Sequence, residues 1–256
     1  LLVPKTADGR VLFAVPWLGK VILGTTDTPR HDLAREPLPF PEELDFILSE
    51  AGKYLNRQPT LADVRSMWVG LRPLVKPQDD DGENTKKISR EHTVMSSKTG
   101  LVTVTGGKWT TYRAMSEDVL AECFQIGRLP SRPAGVTVNL PLVGAPAEAA
   151  VKHSMNQAQG LHSYGTDAEA VASLPGAQNW LMDGLSEAMV RFAARFEYAR
   201  TVEDMLARRS RLLFLDARKA AEIAPRVAAI LVEELGRDAN LNDFMVLAKQ
   251  YLPAQA

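Results

Sequence analysis

Apolar positions along the chain change period several times, and each change marks an element. Val11-Leu12-Phe13-Ala14-Val15-Pro16-Trp17 and Lys20-Val21-Ile22-Leu23-Gly24 are two strand-like runs around Leu18-Gly19, and they read as a hairpin. From Pro41 the spacing becomes helical: Leu44, Ile47, Leu48, Ala51 and Leu55 make one stripe. Pro41 suits the first turn, and Glu42 and Glu43 favour its positive end. Residues 64–75 are mostly apolar and strand-like, 86–90 reads as a further short strand, and Leu101-Val102-Thr103-Val104-Thr105 as a buried one.

After residue 105 the chain breaks pattern with Gly106-Gly107, and a helical stripe follows from Lys108: Tyr112, Met115, Val119, Leu120 and Cys123. Thr110 or Thr111 is placed to cap it. Two glycines before a helix N-terminus allow a sharp turn and close approach by another group. Free N–H groups and the positive dipole end then face whatever lies there, and Lys108 adds a charge. The stretch suits an anion, a phosphate or an electron-rich ring, although an ordinary strand-to-helix turn with a solvated lysine has the same pattern.

Residues 129–146 carry Pro130, Pro133, Pro141 and Pro146 with Gly135 and Gly144, the composition of a linker. Beyond it the pattern predicts helices over 147–159, 166–173, 185–199, 202–211, 217–235 and 241–251. Thr201 and Asp204 have capping-box spacing, with Asp in place of Glu. The expected organisation is α+β: antiparallel strands in 1–130, a linker at 131–146 and an all-helical region at 147–256.

Three cations recur beside strand-like segments. Arg72 lies in an apolar run between Leu71 and Pro73, where a guanidinium needs a carboxylate or phosphate partner. Arg90 precedes Glu91-His92, and Lys108 follows the glycines. If these strands are neighbours, three cations converge on one anion. Arg72 could equally form a structural salt bridge. Thr26-Asp27, after a strand end, could face a ligand or bond their own backbone. Asp79-Asp80-Asp81-Gly82 lacks calcium-loop spacing and reads as a solvated hairpin tip. Arg208, Arg209 and Arg211, with Arg200 nearby, could bind an anion or a head group, or pair with Glu203 and Asp204.

Composition narrows the classes. Net charge is −1, so no general attraction to nucleic acid is expected. One cysteine, Cys123, excludes an internal disulfide framework and fits a reducing, cytoplasmic setting. No apolar run reaches the roughly 18 residues of a membrane span, and no signal peptide is read at the start. His31, His92, His153 and His162 show no metal-ligand spacing, so no metal site is expected. No Gly-x-Gly-x-x-Gly dinucleotide fingerprint occurs. The opening Leu-Leu-Val-Pro-Lys reads as the interior of a longer protein.

Gly24-Thr25-Thr26-Asp27, Gly70-Leu71-Arg72-Pro73-Leu74, Ser89-Arg90-Glu91-His92 and Gly106-Gly107-Lys108-Trp109-Thr110-Thr111-Tyr112-Arg113 together resemble, in order and spacing, the C-terminal portion of the FAD-dependent (aerobic, respiratory) glycerol-3-phosphate dehydrogenases. The run from Arg200 to Arg211 is similar to that family's helical C-terminal domain. The resemblance implies oxidation of sn-glycerol 3-phosphate to dihydroxyacetone phosphate, with FAD reduced and a membrane quinone as acceptor. It implies that 1–130 is the C-terminal part of a substrate and flavin domain. Arg72, Arg90 and Lys108 would hold substrate, Arg72 and Lys108 would be the catalytic pair, and Gly106, Gly107, Lys108, Trp109 and Thr110 would lie against the flavin. A peripheral contact at the cytoplasmic face of the inner membrane is implied in the same way. Because the glycine fingerprint is missing, this chain alone is expected to hold FAD weakly and to lack dehydrogenase activity. Two other classes stay open: an amino-acid or sarcosine oxidase-like flavoenzyme, and a helical interaction or homodimerisation module.

Overall fold

A computed structural model of the chain describes residues 1–3, 6–7, 9–71, 91–146 and 153–253. Two compact units emerge: Leu1–Thr28 with Ala34–Val69 and Val143–Ala256, and Pro29–Leu33 with Gly70–Leu142. The architecture is α+β, with short antiparallel sheets and a helical C-terminal region, as the periodicity predicts.

In the first unit the expected hairpin forms between β2 (Leu12–Trp17) and β3 (Lys20–Gly24), in register from Trp17 opposite Lys20 to Phe13 opposite Gly24. β1 (Leu2–Val3) pairs antiparallel on the free edge of β2. Helix α1 (Pro41–Gly52) lays its stripe on this sheet, and Val3, Leu12 and Ala51 are buried together, with Leu23 and Ile47 beside them. The N–H groups of Leu18 and Gly19, at the hairpin tip, donate to Met155 O and Asn156 O. Residues 153–159 are not helical, so the described part of the helix expected at 147–159 is absent. Its backbone bonds go to the hairpin tip instead.

The core of this unit is helical. Helices α3 (Ala168–Ala172), α4 (Glu187–Phe196), α5 (Leu212–Leu215), α6 (Ala217–Leu235) and α7 (Leu241–Gln250) enclose one apolar cluster. Met189, Leu206, Leu213, Ile230, Leu231 and Phe244 are buried within it. A small antiparallel pair, β6 (Trp180–Met182) with β7 (Leu185–Ser186), precedes α4 and replaces the expected first turn of that helix. α6 matches its expected span. Asp216 caps it by accepting the Lys219 N–H at 3.0 Å, and Gly236 ends it in the left-handed region.

The Thr201–Asp204 capping box forms. The Asp204 N–H donates to Thr201 Oγ1 at 3.1 Å, and Asp204 Oδ2 accepts the Thr201 N–H at 3.0 Å. The helix it starts relaxes into a π-helical stretch, Asp204–Arg209, and stops at Arg211, whose φ is +60°.

Residues 64–71 are the clearest difference from expectation: they are extended but form no strand. Ala217 N–H donates to Arg65 O and Ser66 Oγ, and Met67 N–H donates to Tyr251 O. Trp68 packs edge-on against Phe214, which packs edge-on against Tyr251. The run is held against helix ends and aromatic rings, not in a sheet, and it stays partly exposed. The Asp79–Gly82 tip and the strand expected at 86–90 lie outside the described residues.

Polar bonds also join α4 and α6. Arg195 grips Glu234 with Nε and Nη2 at 2.6 and 2.8 Å, and Arg191 Nη1 reaches the same carboxylate at 2.7 Å. The Arg195 bonds, with Arg191 adding, hold the Glu234 carboxyl below its ordinary value of 4.5 against the upward push of burial. A depressed folded value means that this stabilisation is complete above pH 4.5 and is lost as pH falls through the folded value. Glu234→Gln is therefore expected to cost on the order of 1–3 kcal/mol at neutral pH. In urea titrations the gap from the parent chain should narrow as pH drops below 4.5.

Candidate functional site: the glycine turn before helix α2

The second unit is built on a hairpin and a helix. β4 (His92–Ser96) pairs antiparallel with β5 (Val102–Gly106), His92 opposite Gly106 and Ser96 opposite Val102. The turn between them closes with Gly100 N–H donating to Ser97 O, and Arg128 Nη2 donates to Thr99 O at 3.0 Å. β5 was expected, but as a buried strand; Leu101 and Val104 are exposed, because the described sheet here has two strands. β4 was not expected. The β-branched run Thr93-Val94 before Ser97-Lys98-Thr99-Gly100 is the hairpin signal that would have found it.

At the end of β5 the chain turns through Gly106 and Gly107, at φ +76° and +80°. A side chain on either would collide with this protein itself. A Cβ on Gly106 would lie 2.7 Å from Glu91 O, and one on Gly107 would lie 2.6 Å from the Met115 sulfur and 3.0 Å from His92 Cβ. Glycine is required here by both backbone conformation and space. Lys108 returns to an extended conformation, so the first helical residues form a 3₁₀ turn, Trp109–Thr111, ahead of α2 (Tyr112–Gln125). The helix thus begins slightly later than its periodicity suggests. Thr111 occupies the N-cap position but does not cap: its hydroxyl donates back to Lys108 O at 2.9 Å.

The structure brings Gly106, Gly107, Lys108, Trp109 and Thr110 together at one helix entrance. Lys108 and Thr110 are exposed, and no described carboxylate pairs with Lys108. Trp109 is 86% exposed and stacks on Tyr112, with ring centroids 5.6 Å apart and planes 27° apart. The leading N–H groups have no partner within the helix. These groups fit the ring end of a flavin: a flat aromatic surface, a cation, and a positive helix end beside a turn with no side chains. They do not supply a cradle for its diphosphate. Arg72 and Arg90, the other two expected cations, lie outside the described residues.

Other candidates fall away or change character. Arg208 pairs with Asp204 Oδ1 at 2.9 Å and with Glu203. Arg200 and Arg209 donate to the carbonyls of Ala194 and Glu197, at the end of α4, and Arg200 also lies over the Tyr198 ring. That basic cluster is thus largely occupied by internal bonds. His153 and His162 lie side by side with centroids 4.6 Å apart and planes tilted by 40°, a pairing their sequence separation hides. Burial, then His153, holds the His162 imidazole below its usual value. Among the described residues no group of three or more His, Cys, Asp or Glu could hold a metal ion. The recess beside Trp68 and Tyr251 has a volume of ≈ 10 Å³, room for about one water.

Comparison with known proteins gives the class. Residues 2–113 match the FAD dependent oxidoreductase family, and residues 135–241 match the C-terminal domain of alpha-glycerophosphate oxidase. The fold agrees with that of the glycerol-3-phosphate dehydrogenase from Bacillus halodurans, solved with FAD: the TM-score is 0.71 at 23% identity, over 100% of this chain and 54% of that one. Within the class, mitochondrial glycerol-3-phosphate dehydrogenases are similar to nearly all of the chain. The Arabidopsis thaliana protein SDP6 is 38% identical over 91% of this chain and 41% of its own length, and the Homo sapiens protein 38% identical over 95% and 35%. The chain is thus similar over nearly all of its length to glycerol-3-phosphate dehydrogenases, and it spans 35% to 41% of the length of these relatives.

Replacing Gly106 by Ala is expected to destabilise the β4–β5–α2 unit by about 1–3 kcal/mol, through strain at positive φ and the Glu91 carbonyl. Amide exchange across Val94–Thr105 should accelerate accordingly, and unchanged exchange would contradict the packing described.

Proposed function

We propose that this chain supplies the substrate and flavin-ring side of an enzyme that oxidises sn-glycerol 3-phosphate to dihydroxyacetone phosphate. The observation that carries the reading is the exposed Lys108 at the Gly106–Gly107 turn, ahead of the positive end of α2. The residues at this turn would hold the flavin ring, and FAD bound there would supply the hydride acceptor. The chain's own residues bind and orient. Arg72 grips the substrate phosphate as a bidentate fork and Arg90 adds a second cation. Lys108 holds the substrate hydroxyls and phosphate beside the ring and, with the helix end, favours the negative charge of the reduced ring. Gly106, Gly107, Trp109 and Thr110 form the surface against which the ring lies.

In support, the family is FAD-dependent, and relatives sharing 38% identity are named glycerol-3-phosphate dehydrogenases. The family boundaries, 2–113 and 135–241, support a substrate and flavin region over 1–130, a linker at 131–146 and a helical domain over 147–256. We keep a quinone as electron acceptor and a peripheral contact with the cytoplasmic face of the inner membrane as parts of the proposal. No described helix is long and apolar enough to cross a membrane, and several relatives are named as mitochondrial. The absence of a Gly-x-Gly pattern supports weak FAD binding by this chain alone.

Substrate preference tests the reading against an amino-acid oxidase. The complete enzyme should turn over glycerol 3-phosphate and leave D-amino acids and sarcosine untouched. Arg72→Ala should lower kcat/KM for glycerol 3-phosphate by roughly 100-fold or more, with Arg72→Lys intermediate. Oxidation of an amino acid, or an Arg72→Ala enzyme within about threefold of the parent, would overturn it.

A further inference from the structure

His92 and Asp118 make a bond that the proposed chemistry does not use. His92 Nε2 lies 2.7 Å from Asp118 Oδ2, joining the first residue of β4 to the middle of α2 across 26 positions of sequence. With the carboxylate ionised, the imidazole Nε2–H donates. The imidazole is 24% exposed and the carboxylate 57%. A solvent-accessible side-chain bond of this kind adds little to global stability, about 0–1 kcal/mol. Its location gives it a different consequence.

β4 is fixed to β5 by the strand ladder, and His92 sits directly opposite Gly106. α2, by contrast, is joined to β5 through the Gly106–Gly107 turn, Lys108 and the 3₁₀ residues. Rotation about those glycines would swing the helix, and Lys108 with it, relative to the hairpin. Two contacts oppose that swing. Met115 of α2 and His92 of β4 both crowd Gly107: the sulfur is 2.6 Å, and His92 Cβ 3.0 Å, from the point where a side chain would begin. Three residues beyond Met115 on α2, Asp118 holds the same His92 through its ring.

We propose that His92 and Asp118 are a positioning pair that clamps the Gly106–Gly107–Lys108 turn between β4 and α2 and sets the aim of Lys108. The part of the inference that concerns catalysis rests on the reading of this turn as the flavin and substrate site; the clamp itself does not. Misplacement of an orienting group by about 1 Å can cost on the order of 100-fold in rate, so a bond of modest energy can matter for turnover.

Amide exchange in this chain and kinetics in the complete enzyme separate the two parts. Asp118→Ala should speed exchange at residues 106–110 by roughly tenfold and change 94–103 by less than about twofold. Asp118→Asn keeps an acceptor for Nε2–H and should restore slow exchange, and His92→Gln keeps a donor and should restore it in part. A uniform acceleration over 92–125, or none, would overturn the clamp. In the complete enzyme, Asp118→Ala should retain its flavin and lose roughly tenfold in kcat with KM within about twofold, and Asp118→Asn should recover kcat. Localised exchange with unchanged kcat would keep the clamp and overturn the reading of the turn as the site.

Discussion

Gly106 and Gly107 stand in a space already filled by the rest of their own unit. Glu91 O, His92 Cβ and the Met115 sulfur occupy the volume that side chains there would need, and both residues lie at positive φ. That crowding lets β5 turn into α2 with its ladder partner and its helix both in contact with the turn. The exposed groups then follow. Lys108 is extended, Trp109 and Tyr112 stack, and a short 3₁₀ turn opens the helix. The glycines are explained by internal packing before any ligand is considered. What a ligand would meet is the cation, the N–H groups and the flat aromatic surface that the turn leaves outside.

The helical unit is governed by a different balance. Its apolar cluster is extensive, and α4 is bonded to α6 by guanidinium–carboxylate pairs. Residues 64–71 are recruited to it from far along the chain through Arg65 O, Ser66 Oγ and the Met67 N–H. The basic run near Arg208 has the composition of a binding surface, yet its guanidinium groups satisfy acids and helix-end carbonyls. Charge clusters on helices are first a matter of internal pairing.

The strongest periodic signals were the legible ones. The β2–β3 hairpin, α1 and α6 follow from alternation, helical stripes and caps at or near their observed spans, and the Thr201–Asp204 box forms as its spacing suggests. Residues 64–71 misled because an apolar run does not say what it packs against; here its backbone bonds to helix ends and the run stays partly exposed. β4 went unread because His92 and Ser96 weaken its pattern, and its pairing with β5 is a tertiary fact. At the candidate site the order Gly106-Gly107-Lys108 was visible in the chain. The His92–Asp118 bond was not, since 26 residues separate its ends. The helix cap was misassigned for a local reason: Thr111 uses its hydroxyl as a donor to Lys108 O.

The central claim is that the cation displayed at the glycine turn acts on the substrate beside the flavin. Rapid-mixing measurement of flavin reduction by glycerol 3-phosphate, in the complete enzyme without oxygen, tests it most directly. With Lys108→Ala the flavin should stay bound and its reduction should slow by roughly 100-fold or more, the scale of losing a preorganised charge at a reacting centre. Reduction at the parent rate with Lys108 removed would contradict the account.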